Sequence, residues 1–125
     1  MSSPQPAQPH RGEIWFVRIP SDPPEKNARP VIVVSMDARN EHPRASTVLV
    51  VPLSTTLRAF DTHVRLEPGE TGLGEVSEAQ AENISTVRKE SLVPARSRLQ
   101  TLSAAKLGQI AKCVVLATGI FPEDI

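Results

Sequence analysis

Two runs decide the fold: Arg29-Pro30-Val31-Ile32-Val33-Val34, and then Val48-Leu49-Val50-Val51-Pro52-Leu53-Ser54-Thr55. Short β-branched runs bounded by turn formers predict buried strands rather than helix. A polar connection joins them, so antiparallel pairing is expected. Strand direction then reverses between the runs, and the start of the first lies beside the end of the second. This places Arg29 next to Ser54. A fixed guanidinium beside a hydroxyl is a pairing that can handle a phosphate.

The rest of the composition limits what that pair can do. At 125 residues the chain is of single-domain size and long enough for a real core. Its 14 basic and 14 acidic residues cancel, so total charge selects no partner, but their distribution is uneven. Leu66 to Glu82 holds five Glu and no base, whereas Arg88 to Lys112 holds six bases and one Glu. A bipolar surface, one pole attractive to nucleic acid, and a solvated face of mixed charge both fit. The single cysteine, Cys113, sits in an apolar helical pattern and reads as a small buried hydrophobe in a reducing compartment. No run approaches the length of a membrane span, so a cytoplasmic protein without membrane contact is expected. Three Phe, one Trp and no Tyr give little material for stacking several bases.

Residues 1–10 are rich in Pro, Gln and Ser and are expected to form a disordered tail ahead of one domain, 11–125. Arg11 to Val17 predicts a strand. Ile19 to Asn27 carries three prolines and predicts a long loop that cannot pair. Thr62 to Glu67 alternates, giving a half-buried strand with His63, Arg65 and Glu67 on the wet face. Glu75 to Val87 reads as one irregular strand, and a short strand is expected near Ser97-Arg98-Leu99-Gln100. Ser103 is a good N-cap for a helix carrying Leu107, Ile110, Ala111, Val114 and Val115 at helical spacing, closed by Gly119 and Pro122. The pattern is mainly β with a C-terminal helix, as in a small barrel packed against one helix.

Three histidines and one cysteine show no paired ligand spacing, so no metal site is expected, and there is no glycine-rich phosphate loop. Phosphate chemistry would run without a cofactor. Cleavage of RNA can do so, because the ribose 2′-OH is an internal nucleophile that needs only orientation, proton movement and charge neutralisation. A strand-entry charge and an ordinary turn are the plainer readings of Arg29 and Ser54.

Arg11-Gly12-Glu13-Ile14-Trp15, Arg29-Pro30-Val31-Ile32-Val33-Val34-Ser35 and Val50-Val51-Pro52-Leu53-Ser54 follow one another in an order that resembles the MazF/PemK family of toxin endoribonucleases. Thr62-His63-Val64, Gly72-Leu73 and Ile84-Ser85-Thr86-Val87-Arg88-Lys89 continue the resemblance. It implies an SH3-like barrel of the MazF/PemK/CcdB type, a homodimer, and single-stranded RNA in a groove at its interface. It further implies metal-independent, sequence-specific cleavage to 2′,3′-cyclic phosphate and 5′-OH ends, and a cognate antitoxin. Arg29 takes the position of the catalytic arginine and Ser54 that of the catalytic Thr or Ser, with Thr55 next in register. Lys26, Asn27, Trp15, Thr56, Gln80 and Asn83 are expected along the RNA groove. Some members carry an Arg and an Asp where this chain has Gln80 and Glu82, so Glu82 is left as a candidate proton acceptor. A non-catalytic CcdB-like toxin that binds DNA gyrase, and a plain SH3-like binding module, are the alternatives.

Overall fold

The computed structural model describes residues 8–95 and 100–124. Six antiparallel strands form one sheet: β1 (Ile14–Val17), β2 (Arg29–Val33), β3 (Thr47–Ser54), β4 (His63–Leu66), β5 (Ser77–Gln80) and β6 (Ser85–Arg88). The order is β1-β2-β3-β5-β4, with β6 also on β3. The fold is mainly β with a C-terminal helix, as the two apolar runs predict.

β3 explains the arrangement. Its first half pairs with β6 (Thr47↔Arg88 to Val50↔Ser85), and its end pairs with β5 (Leu53↔Ala79, Ser54↔Glu78). Pro52, which has no N–H, lies where the neighbour changes, a position at which a missing ladder donor is tolerated. Because β2 and β3 are covered on both faces, they read as continuous apolar runs rather than alternating ones. Ile32, Val51 and Leu53 enter one core with Leu66, Leu107 and Ile110. Val31, Val33, Val48 and Val50 enter a second with Val17, Ile19 and Leu92.

The switch of partner also corrects the reading of residues 75–87. They are two strands, β5 and β6, separated by a 3-10 turn at Ala81–Asn83. That turn carries the chain from one end of β3 to the other. Residues 96–99 of the expected short strand lie outside the described residues, and Gln100 is not in a strand. β1 begins at Ile14 because Gly12 turns the chain with φ +93°, a conformation that favours glycine. A side chain there would meet Leu107 at 3.1 Å and Thr101 at 3.2 Å. Order reaches back beyond the expected domain start: Pro9 is fully buried, and the His10 N–H donates to Glu13 at 2.6 Å.

Two four-residue helices, α1 (Asp37–Asn40) and α2 (Pro68–Thr71), close polar connections. The long helix α3 (Ala104–Ala117) starts at Ser103, whose Oγ accepts from the Lys106 N–H at 3.2 Å, and it buries Leu107 and Ile110. Gly119 follows with φ +88°. Among the described residues no helix is long and apolar enough to cross a membrane.

Candidate functional site

Arg29 opens β2 and Ser54 closes β3, and both line one open cleft of about 600 Å³. Antiparallel pairing brings them to the same side, as the order of the two runs requires. The Arg29 side chain is 12% exposed and its guanidinium is held at three points. Nη2 donates to the Leu53 carbonyl and to Gln80 Oε1, each at 3.0 Å, which commits both of its hydrogens. Nη1 faces Asp22 Oδ1 at 3.4 Å, long for a charge-assisted bond.

Asp22 comes from the loop between β1 and β2 and is itself 13% exposed. Its Oδ2 is buried with no partner among the described residues. Leaving such a group unsatisfied costs about 1–3 kcal/mol, more for a charged one. The loop is tied by turn bonds from Asp22 N–H to the Ile19 carbonyl at 3.0 Å and from Lys26 N–H to the Pro23 carbonyl at 2.9 Å. Its base is fixed by Ile19, which is buried. The carboxylate is thus brought to the guanidinium by a structured loop and bonded weakly once there.

Ser54 Oγ accepts from the Thr56 N–H at 3.1 Å, which leaves its own proton available to donate. Thr55, Thr56 and Lys26 also line the cleft. Gln80 accepts from Asn83 Nδ2 at 3.2 Å as well as from Arg29, so the expected RNA contacts Gln80 and Asn83 form a chain that orients the guanidinium. Asn27 is exposed beside the cleft-lining Lys26. Trp15 lies elsewhere: its Nε1 donates to Glu13 at 3.1 Å, and its ring packs on the core built around Val31 and Val48.

Glu82 is not in the cleft lining either. It accepts from Thr62 Oγ1 at 2.5 Å and bonds His63 Nε2 at 2.8 Å. The other ring nitrogen of His63 bonds Glu78 at 2.9 Å. His63 was expected to be wet, yet its side chain is 3% exposed. The alternation placed it correctly, on the face opposite buried Val64. The correction is that two carboxylates and the Phe60 ring cover that face here. Glu78 further accepts the Arg58 and Ala59 N–H groups at 2.8 and 2.9 Å. Burial pushes the Glu78 carboxyl up, but the bonds from Arg58, His63 and Ala59 outweigh it and hold the group below its ordinary value. Asp22 and the Glu78–His63 pair carry no signal in the sequence beyond being charged, because their partners come from distant elements.

Cys113, expected as a small buried hydrophobe, is only partly buried; that burial raises its thiol, and the nearby Glu82 and Asp61 carboxylates add to the effect. Among the described residues no group of three or more His, Cys, Asp or Glu is placed to hold a metal ion.

Comparison with known proteins adds independent findings. A family model described as "PemK-like, MazF-like toxin of type II toxin-antitoxin system" matches residues 10–117. The chain is 33% identical over 111 residues to the probable endoribonuclease MazF5 of Mycobacterium tuberculosis, spanning 89% of this chain and 94% of that protein. It is 34% identical over 114 residues to endoribonuclease MazF9 of the same organism, spanning 85% and 92%. Among solved structures, an endoribonuclease in complex with its cognate antitoxin from a mycobacterial species matches with a TM-score of 0.68 at 27% identity, over 90% of this chain and 96% of that one.

Proposed function

The chain belongs to the PemK-like, MazF-like toxins of type II toxin–antitoxin systems, and we propose that its cleft cleaves single-stranded RNA as a metal-independent endoribonuclease. One observation supports this most directly: Arg29 is oriented by Leu53 and Gln80 beside the Ser54 hydroxyl in an open cleft. In the proposed reaction the ribose 2′-oxygen attacks the adjacent phosphorus and loses its proton. The P–O5′ bond breaks as the new P–O2′ bond forms, and the departing oxygen takes up a proton. The products are a 2′,3′-cyclic phosphate and a 5′-OH. Arg29 neutralises charge building on the phosphorane, and Ser54, with Thr55 beside it, donates to a phosphate oxygen. The nucleophile is in the substrate, so the chemistry asks for no cofactor.

Asp22 fits this reading as a competitor. Phosphate and the Asp22 carboxylate seek the same Nη1 edge of Arg29, so RNA binding displaces the loop carboxylate. Lys26, Thr56 and Asn27 then lie where the strand would run. A gyrase-poisoning toxin of the same fold, or a plain binding module, would have no use for an arginine held in this way.

The partner of the relative solved with its cognate antitoxin supports an antitoxin here, acting on the same cleft. Exposed Ile120 and Phe121 past α3, next to half-buried Val114, Val115 and Leu116, offer an apolar surface for a homodimer. With cellular transcripts as the proposed substrate, the proposed site of action is the cytoplasm. The test is incubation of purified protein with a long transcript in EDTA, followed by end mapping. Sequence-specific cuts with cyclic phosphate ends are expected; activity only on added metal, or ends of other chemistry, overturns the reading.

A further inference from the structure

The loop leaving Ser54 carries an exposed aromatic ring on a fixed base. Phe60 is 54% exposed. The His63 ring packs against it, centroids 5.0 Å apart and tilted by 48°. His63 is bonded through both nitrogens to carboxylates, Glu78 at 2.9 Å and Glu82 at 2.8 Å. Glu78 also fixes the backbone of the loop by accepting from Arg58 and Ala59. Ala59 has φ +54°, a left-handed conformation that disfavours any residue with a side chain. Conformations of this kind persist only when their surroundings enforce them, and they gather at ligand clamps.

A single exposed phenylalanine is ordinary on a protein surface. This one packs on the His63 ring, in a loop whose backbone Glu78 fixes, and a chain of contacts links it to Arg29. Gln80, which orients Arg29, lies directly opposite His63 in the β4–β5 register. Directly opposed side chains share a face, with Cβ atoms roughly 4.5–5.5 Å apart. The Phe60 ring is therefore three contacts from Arg29, by way of His63 and Gln80, which share a face of the sheet. The Arg58 guanidinium lies 6.0 Å above the ring centroid, on a backbone that Glu78 fixes.

We propose that Phe60 is a stacking platform for one nucleobase flanking the phosphate held at Arg29, with Arg58 covering that base or its phosphate. Glu78 and His63 are its positioning residues. The proposal rests on the endoribonuclease reading of the cleft and adds a subsite to it: a platform for one unstacked base. Every base has a π face, so the platform supplies affinity and register, and polar groups elsewhere choose among bases.

The test uses oligoribonucleotides built around a mapped cleavage site, with a 2′-deoxy sugar there to remove the nucleophile and 2-aminopurine moved along the strand. Fluorescence should be quenched at one position on binding to the wild-type chain. Phe60→Leu should abolish that quench and weaken binding about ten-fold, and Phe60→Trp should restore both. A quench pattern indifferent to residue 60 overturns the proposal. So does a Phe60→Leu variant with unchanged RNA affinity and an altered oligomeric state by light scattering, which would assign the ring to a protein contact. Because the signal reads binding, failure of the wild-type chain to cut the all-ribose strand would sink the nuclease reading separately.

Discussion

Two polar clusters sit side by side on β5, and they are built in opposite ways. Around Glu78, both carboxylate oxygens are in use: two backbone N–H groups donate to them, and they bond a histidine that is itself bonded at its far nitrogen. Around Arg29, two neutral acceptors hold the guanidinium firmly, but its one acidic partner is distant and half unsatisfied. A fully bonded buried network resists change. A loosely matched one leaves a charge available for something else. The first cluster is a foundation and the second is where the proposed reaction would take its phosphate, separated by one turn of the β pleat.

Substitution should pull them apart. The largest effect is expected from Arg29→Ala, with kcat/KM on RNA reduced by about 10²–10³-fold or more, as for loss of a main transition-state donor, while the circular dichroism spectrum is retained. Glu78→Ala should do the reverse kind of damage. It leaves His63 and two N–H groups without their acceptor, so urea unfolding should register a loss of about 3 kcal/mol. Equal stability in both variants would erase the distinction drawn here.

Asp22→Asn keeps the shape of the loop carboxylate and removes its charge. If Asp22 competes with phosphate, KM for RNA should fall about three- to ten-fold with kcat nearly unchanged; a rise in KM would make Asp22 a support of the site instead. The smallest effect concerns acid. The Glu78 carboxyl is held below its ordinary value in the folded chain, so the stability it contributes is complete above the unfolded value, roughly pH 4.3. That contribution is lost as pH falls through the lower folded value. Glu78→Gln should flatten this part of the stability–pH curve, measured by thermal melts at stepped acidic pH.

How much of this was legible follows from the range of the interactions. The paired β2 and β3, the helix from Ser103 and the common side of Arg29 and Ser54 depend on local periodicity and on strand direction, which neighbouring residues determine. The split of residues 75–87 into β5 and β6 depends on β3 having two partners along one edge, which no local pattern records. His63 was placed on the correct face but given the wrong environment, since alternation reports orientation and not what lies across the strand. Asp22 has no sequence signature because a loop between prolines carries no periodicity at all. The bond from Arg29 to Gln80 spans 51 positions of sequence, and no local pattern records it.

That span has a consequence for the cell that makes the protein. A ribosome has threaded Arg29 and Ser54 well before it reaches Gln80, and the β6 strand that completes the edge of β3 comes later still. The nascent chain therefore carries Arg29 and Ser54 unassembled from the addition of Ser54 until Gln80 and β6 have followed.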